Sequence, residues 1–541
     1  MLSDFINNQM TGMKNIILFC TLSLVMLLFV KQQSIKAQTT QAVKNRPNIL
    51  FAIADDQSYP HASAYGQASF QTPVFDRIVA SGILFFNAFV AAPQCSPSRA
   101  AILTGRNIWQ LEEAGTHASH FPKKFPVFTD ALENAGYFIG YTGKGWDPGN
   151  FKDAGWSRNP VGPDYSKREL DIVPASGITR NDYAANFADF LSERPAGKPF
   201  FFWFGSYEPH RDYEPGSGAA AGLNAKDITV PQFLPDNVLV RNDLLDYALE
   251  INWFDLQLGK MIQLLEASGQ LENTIIVVTA DNGMPFPYAK ANLQEYGTHV
   301  PLAICGPGIK GNHRKVDDLV SLIDLAPTFL DIAGVNHFKG ITGKTLLPIF
   351  NSTKSGSIDP SRKVVLTGRE RHTHARPDNV GYPARAIRTP DFLYIKNFKP
   401  GRWPVGDPPP GNQLSITGNP GMKPKLQGYE DIDGSPTKSF MVDNHTAFPG
   451  LFQIGFEKRG GDELYYIKMD PYCLHDLAGS PEYKKVLGKL RSDLQKKLAA
   501  QGDPRVLGKG DIFDSYPRFG PMRSFEGFKE RGKYNPAFIK D

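Results

Sequence analysis

The stretch RPNILFAIADDQ, residues 46–57, is a continuous apolar run that ends in two adjacent carboxylates, Asp55 and Asp56. The stretch ENTIIVVTADNGMPF, residues 272–286, repeats this arrangement and ends its apolar run in an Asp-Asn pair. Such runs are typical of parallel strands buried on both faces of a sheet. Open α/β sheets bind ligands beyond the carboxyl ends of their strands, so the two polar pairs are predicted to share one site.

The polar residues at these strand ends predict a site for a hard cation. Asp55, Asp56 and Asp281 offer carboxylates, and Asn282 offers an amide oxygen. Either pair alone is more typical of an ordinary turn, but the recurrence at two strand ends favours ligation. Oxygen donors suit Ca²⁺ or Mg²⁺, and the sequence shows no clustered His or Cys spacing that would indicate zinc.

The motif CSPSR, which starts at Cys95 and ends at Arg99, predicts the mouth of a short helix. Ser96 is predicted to be the N-cap, Pro97 the first helical residue and Gly105 the stop. Cys95 would then lie just outside the positive end of the helix, where free N–H groups favour an anion and Arg99 adds a cation. This geometry predicts an oxyanion site.

Basic side chains follow three further strand-like or loop segments. GYTGKGW contains Lys144, FFFWFGSYEPHR ends in His210 and Arg211, and YAKANLQ contains Lys290. A single Lys or His after a strand is more often a solvated loop residue, but the repeated placement favours a shared anion site.

The C-x-P-S-R motif followed by A-x-x-L-T-G-R resembles the type I, formylglycine-dependent sulfatases, and the resemblance covers nearly the whole exported length. It implies an alkaline-phosphatase-like, doubly wound mixed α/β sheet flanked by helices, with a smaller C-terminal α+β domain. It also implies that a formylglycine-generating maturation enzyme oxidises Cys95 to the aldehyde formylglycine. The hydrate of this aldehyde would be the nucleophile. One Ca²⁺ would be held by the modified residue together with Asp55, Asp56, Asp281 and Asn282.

The resemblance also assigns roles to the cations. Arg99 would stabilise the hydrate, Lys144 and Lys290 would bind sulfate, and His210 would face the leaving group. The segments DNGMPFP and SYEPHR are most similar to the branch of N-sulfoglucosamine sulfohydrolase, which also holds bacterial enzymes acting on algal polysaccharides such as ulvan. The family commonly has a histidine two positions after the first lysine, where this sequence has Trp146.

Alternating strand-like and helix-like runs over residues 45–355 predict the catalytic α/β domain, including a long amphipathic helix over 242–269. Residues 359–541 predict a small α+β domain of short strands with a basic amphipathic helix at 481–500. The Pro-rich stretch 399–414 within it predicts an ordered loop that faces the substrate rather than a linker.

Five further polar residues are candidates for contact with a saccharide. They are Arg211 and, in the segment GRERHTHARP, Glu370, Arg371, His372 and His374. The alternative is a polar surface loop without a binding role.

Residues 1–37 have the charged, apolar and small-residue regions of a secretory signal, so the chain is predicted to be periplasmic or secreted. The apolar run of about fifteen residues is short for a membrane span, although an uncleaved anchor stays open. Without that signal the chain keeps Cys95, Cys305 and Cys473, an odd number that leaves at least one thiol unpaired. Cys305 is predicted in a buried strand, and Cys473 is a surface or packing thiol.

The charge of the chain is nearly balanced, with 59 basic and 55 acidic residues among 541. No long block of one sign occurs, so a nucleic-acid partner is not expected and anion recognition must be local. The prediction is therefore release of sulfate from a sulfated polysaccharide or oligosaccharide such as ulvan, with N-sulfoglucosamine as the alternative. A phosphatase or phosphodiesterase on the same sheet, and an inactive secreted glycan-binding protein, are the less favoured possibilities.

Overall fold

The computed structural model describes residues 46–67, 69–408, 428–519 and 539–540. The predicted signal sequence and residues 409–414 of the Pro-rich stretch lie outside these ranges. Within them, no helix combines the length and the apolar character that a membrane crossing requires.

A mixed sheet of eight strands forms the centre of the molecule. Its strands are β1 (Asn48–Ala54), β2 (Ile83–Phe89), β3 (Phe138–Gly143), β4 (Phe200–Gly205), β5 (Thr274–Ala280), β6 (His299–Cys305), β7 (Arg314–Val316) and β8 (Val320–Ser321). The order is β3-β4-β1-β5-β6-β2-β7, with β8 also paired to β2. Strands β3, β4, β1 and β5 are parallel, whereas β6 runs antiparallel to both β5 and β2. The two apolar runs are thus adjacent parallel strands, as predicted.

Helices flank this sheet. They are α1 (Pro73–Ser81), α2 (Cys95–Thr104), α3 (Phe128–Asn134), α4 (Tyr183–Glu193), α5 (Ser217–Ala220), α6 (Val238–Ala267), α7 (Glu295–Thr298), α8 (Leu325–Ala333) and α9 (Leu347–Phe350). Helix α6 is the long helix expected from the sequence. It begins at Val238 because the Asn237 side chain accepts hydrogen bonds from two first-turn N–H groups.

A second, four-stranded antiparallel sheet follows in the C-terminal part. It consists of β9 (Val365–Arg369), β10 (Ala384–Arg388), β11 (Phe392–Asn397) and β12 (Asp462–Tyr466), in the order β12-β11-β10-β9. Helices α10 (Pro436–Asp443), α11 (Pro449–Phe456) and α12 (Lys484–Ala500) accompany it, and β13 (Arg518–Phe519) pairs with β14 (Ile539–Lys540). Helix α12 confirms the predicted amphipathic helix, since its leucines are buried along one face.

The two sheets share their hydrophobic cores. Ala386 and Leu393 of the antiparallel sheet belong to the same buried cluster as Tyr247 of α6 and Phe286 after β5. Because this packing fixes the C-terminal part against the region beyond the central strands, its side chains can reach the site there. Cys473 is fully buried in this cluster. Of the two alternatives left by the sequence, it is therefore a packing thiol and not a surface thiol.

Candidate active site

Three carboxylates meet beyond the ends of β1 and β5. The parallel register pairs Ala54 with Ala280, so Asp55 and Asp281 leave the sheet side by side. Asp56 has a φ of 74°, in the left-handed region, and its N–H donates to Asp281 Oδ1 at 3.1 Å. One ligand atom each of Asp55, Asp56, Cys95 and Asp281 lies within 4.8 Å of the others.

The donor set at this position fits a hard divalent cation. Asn282 Nδ2 donates to Asp56 Oδ1 at 2.6 Å, while Asn282 Oδ1 is buried and has no hydrogen-bond partner among the described residues. Burial, together with the charge of Asp55, raises the pKa of Asp281 to about 7 although Arg99 opposes this. Crowded carboxylates with a spare amide oxygen are typical of Ca²⁺ and Mg²⁺ ligation, so the four predicted oxygen ligands would hold such an ion.

Cys95 is the first residue of α2 and is almost completely buried. The N-cap is Gln94 and the helix begins at Cys95, so the predictions that Ser96 caps the helix, that Pro97 is its first residue and that Cys95 lies just outside it are wrong. The Ser96 hydroxyl instead accepts a hydrogen bond from the N–H of Ala118 at 3.0 Å, which holds a neighbouring loop against the helix. Gly105, with a φ of 64°, ends the helix as predicted.

The Cys95 thiol faces the acidic centre. Its Sγ lies 3.3 Å from Asp55 Oδ1. Burial and the negative charge of Asp55 raise the pKa of this thiol well above its usual value, against the effect of Lys144. The encoded side chain is therefore a protonated thiol, which is a weak nucleophile.

Two buried cations lie against the same carboxylates. Arg99 Nε is 2.7 Å from Asp281 Oδ2, and its Nη1 donates to the carbonyl oxygens of Lys144 and Gly145. Lys144 Nζ is 2.5 Å from Asp55 Oδ2. Burial opposes the charge of Lys144, but Asp55 raises its pKa above the usual value, so this side chain is a fixed cation.

Lys290 and His210 approach from the other side. Lys290 Nζ is 2.6 Å from Asp56 Oδ2. His210 Nε2 is 3.8 Å from the same oxygen, and the His210 side chain is 32% exposed, so part of its ring is open to solvent. His210 Nδ1 lies 2.5 Å from the carbonyl oxygen of Arg211. Since a carbonyl only accepts hydrogen bonds, Nδ1 carries a proton and Nε2 points toward the centre.

Residues 47–335 match the protein-family model described as Sulfatase. The chain belongs to the sulfatase family. It is 26% identical over 86% of its length to an ulvan-active sulfatase of Formosa agariphila, covering 82% of that protein. It is 25% identical over 86% of its length to the human N-sulphoglucosamine sulphohydrolase, covering 93% of that protein. The protein is thus a sulfuric ester hydrolase.

The solved structures show the same fold. The structure of BT4656 in complex with its substrate D-glucosamine-2-N,6-O-disulfate superposes with a TM-score of 0.59 at 21% identity. The match covers 85% of this chain and 98% of the other. The mixed α/β sheet with flanking helices is therefore the alkaline-phosphatase-like fold that the sequence predicts.

Trp146 of the sulfatase has a structural role at the position where the family commonly has a histidine. Its indole Nε1 donates to the carbonyl oxygen of Ser96 at 3.0 Å, and its backbone N–H donates to Asn159 Oδ1. The ring is buried against Phe121, and its hydrogen bond to Ser96 stabilises the first turn of α2. An indole ring does not exchange its N–H proton at neutral pH, so Trp146 cannot act as an acid or a base at the centre.

Arg211 and Arg371, predicted to contact the saccharide, are bound within the sulfatase scaffold instead. Arg211 forms a two-point ion pair with Asp243 at 2.7 and 2.9 Å, and its Nε donates to the carbonyl oxygen of Pro285. Arg371 donates to the carbonyl oxygens of Tyr516 and Pro517. Both guanidinium groups are thus held by the protein, although Arg371 Nε has no hydrogen-bond partner among the described residues, and their contact with a saccharide stays a prediction.

The other three predicted saccharide contacts are also interior. Glu370 is fully buried between Arg385 and Arg505, with oxygen-to-nitrogen distances of 2.8 and 2.7 Å. His372 packs edge-on against His117, and burial lowers the pKa of His374 to about 3. The segment GRERHTHARP is thus an interior segment and not a polar surface loop, and its contact with a saccharide stays a prediction.

Replacing Glu370 by glutamine is expected to lower the free energy of unfolding by about 3 kcal/mol, because Arg385 and Arg505 lose a buried counter-charge. The matched control is Lys489→Ala, which breaks an exposed pair with Asp493 and should cost less than about 1 kcal/mol. Urea unfolding measures both. A Glu370→Gln protein of unchanged stability but raised KM would show that this carboxylate serves the substrate.

Asp433 also belongs to the centre, although it is not among the residues predicted from the sequence. Its Oδ2 lies 3.2 Å from Lys290 Nζ, and Asp56, His210 and Asp433 each place a ligand atom within 4.8 Å of the others. The acidic run EDID, residues 430–433, was the sequence feature that could have indicated Asp433 as a site residue. Only the packing of the C-terminal part on the central sheet brings that run to the site.

Proposed function

We propose that this sulfatase releases sulfate from a sulfated polysaccharide or its oligosaccharides, as an O-sulfate ester hydrolase of algal polysaccharide such as ulvan. The observation that carries the proposal is the buried centre in which Cys95, at the N-terminus of α2, faces three carboxylates and is surrounded by Arg99, Lys144, His210 and Lys290. A centre with this many cations suits a small oxyanion. The predicted signal sequence accords with export to where polysaccharide is found.

A formylglycine at position 95 and one bound Ca²⁺ would supply the nucleophilic hydroxyl and the charge that draws sulfate into the site. The protein's own residues complete the chemistry. Lys144 and Lys290 bind the sulfate oxygens and offset their charge, and Arg99 fixes the backbone around Lys144. His210 acts here as the imidazolium: its Nε2–H donates a proton to the leaving oxygen or nitrogen of the sugar, while its Nδ1–H keeps the hydrogen bond to the carbonyl oxygen of Arg211. Maturation of Cys95 requires a separate formylglycine-generating enzyme.

Two relatives bear on the substrate. The Formosa agariphila relative is named an ulvan-active sulfatase, which supports an O-sulfated algal polysaccharide. The human relative is named N-sulphoglucosamine sulphohydrolase, and the chain covers 93% of it, which supports N-sulfated glucosamine as the second candidate. Trp146 takes the place of the histidine that the family commonly has, so the N-sulfate specificity of the human relative is not carried over directly to this chain.

A panel of ulvan, carrageenan and heparin oligosaccharides, with 4-nitrophenyl sulfate as the sugar-free ester, tests the proposal. We expect faster sulfate release from one oligosaccharide class than from the aryl ester, with the difference in kcat as well as KM, because contacts with the sugar lower the barrier at sulfur. Release from heparin fragments alone would favour the N-sulfoglucosamine candidate. Equal rates on the aryl ester and every oligosaccharide would contradict a polysaccharide substrate.

A further inference from the structure

In the described part of the chain, the imidazole ring of His210 is held by one hydrogen bond. Its Nδ1 lies 2.5 Å from the carbonyl oxygen of Arg211, the next residue. The His210 side chain is 32% exposed, and the distance from its Nε2 to Asp56 is long for an ion pair, at 3.8 Å. A ring with so few contacts has other rotamers open to it, so the position of the Arg211 carbonyl decides where Nε2 points.

The side chain of Arg211 holds this carbonyl in place. Its guanidinium group forms the two-point ion pair with Asp243 of α6, and the two side chains are only 3% and 2% exposed. The rings of Tyr213 and Phe286 lie against the guanidinium group, each with its centre 4.4 Å away. Burial opposes the charge of Arg211, but Asp243 raises its pKa above the usual value, so the guanidinium group stays charged.

The pair of Arg211 and Asp243 also joins separate parts of the molecule. Asp243 Oδ2 accepts a hydrogen bond from the hydroxyl of Thr437, in the first turn of α10, at 2.5 Å. Arg211 Nε donates to the carbonyl oxygen of Pro285 at 2.9 Å, in the loop after β5 that carries two of the predicted oxygen ligands. The residue that follows His210 is thus bound to α6, to the C-terminal part and to the loop of the acidic centre.

A buried ion pair is a weak source of stability, because the cost of removing two charges from water offsets most of their attraction. What a two-point pair adds is geometric precision, since the planar guanidinium group meets a carboxylate in one orientation. A proton donor needs such precision, because a displacement of about 1 Å at a reacting group can cost about 100-fold in rate. The location of this pair beside His210 therefore favours a positioning role.

We propose that Arg211 and Asp243 are positioning residues for His210, which they hold with its Nδ1–H bound and its Nε2–H directed at the leaving group of the substrate. Asp243 acts through the side chain of Arg211, and Arg211 acts through its backbone carbonyl. The inference rests on the proposed function, in which His210 protonates the leaving oxygen or nitrogen. Loss of the pair leaves the imidazole chemically intact but lets the ring turn away from the substrate.

The test compares Asp243→Asn with the wild type on 4-nitrophenyl sulfate, on phenyl sulfate and on the panel oligosaccharide from which the wild type releases sulfate fastest. Since 4-nitrophenolate leaves readily without a proton, whereas phenolate and a sugar alkoxide do not, a misplaced acid slows the poorer leaving groups most. We expect kcat to fall about 10- to 100-fold on the oligosaccharide, less on phenyl sulfate, and less than about threefold on 4-nitrophenyl sulfate. The control Asp236→Asn breaks an exposed two-point pair with Arg241 of the same helix and should change none of the three rates.

A double-mutant cycle with His210→Ala provides the second arm. His210→Ala should show the same dependence on the leaving group, and adding Asp243→Asn should cost it nothing further on the oligosaccharide, because both changes remove one proton transfer. Losses that multiply, or an Asp243→Asn protein slowed equally on all three esters, would overturn the inference. Equal losses for His210→Ala itself, or a wild type inactive on all three esters, would instead overturn the proposed function. Should Asp243→Asn not fold, Arg211→Lys, which keeps the charge but not the two-point pair, decides by the same comparison.

Discussion

Replacing Cys95 by alanine or serine is expected to lower the rate of sulfate release at least about 10³-fold and to leave the protein folded. In the proposed mechanism the Cys95 thiol would be oxidised to formylglycine, so alanine lacks the precursor of the nucleophile and a serine hydroxyl is not a hydrated aldehyde. The fold should persist because the thiol contributes two weak contacts, 3.3 Å from Asp55 and 3.9 Å from Asp56, and stands at the first position of α2 rather than within the core of the sheet. Ion chromatography of released sulfate measures the loss, and near-ultraviolet circular dichroism checks the fold.

The matched control is Cys305→Ala, which removes another buried thiol at the end of β6, away from the acidic centre. We expect this variant to keep the wild-type rate. Turnover retained by Cys95→Ala would rule out a covalent mechanism at position 95.

Replacing Asp281 by alanine is expected to remove both the metal and the activity, and to lower the free energy of unfolding by about 3–5 kcal/mol. The carboxylate serves two partners. One oxygen accepts the N–H of Asp56 and the other lies 2.7 Å from Arg99 Nε, and both residues are buried. Its loss therefore removes an oxygen ligand and leaves a buried guanidinium group without its ion-pair partner.

Three measurements follow these effects separately. Atomic absorption gives the metal content, released sulfate gives the activity, and urea unfolding gives the stability. Asp281→Asn keeps the shape and an oxygen acceptor, so it should lose less stability than the alanine variant while still losing metal affinity. Asp189→Asn breaks only an exposed pair with Arg168 and should change none of the three. An Asp281→Ala protein with wild-type metal content and rate would show that the ligand assignment is wrong.

The central sheet and the acidic centre could be predicted because their sequence signals are local. A strand buried on both faces is apolar throughout, so β1 and β5 stand out as runs, and their polar residues appear only where the sheet ends. Likewise, the leucine spacing of α12 follows from one face packing on the core.

Tertiary contacts decided the features that could not be predicted. Ser96 has the residue type of an N-cap, but its hydroxyl is taken by the N–H of Ala118, a contact that no local pattern records. Glu370 looks like a surface residue in sequence, yet Arg505 reaches it from a distant segment and makes burial tolerable. Asp433 belongs to the centre only because the C-terminal part packs over the ends of the central strands.

The proposed mechanism requires the conversion of Cys95 into an aldehyde, and the mass of the peptide containing residues 95–99 tests this conversion most directly. Conversion of the thiol to formylglycine lowers the peptide mass by about 18 Da, a difference fixed by the oxidation chemistry. In protein made together with a formylglycine-generating enzyme and shown to release sulfate, the account predicts that the lighter peptide is present in proportion to the specific activity. Full activity in protein whose peptide carries only the unmodified thiol would contradict it.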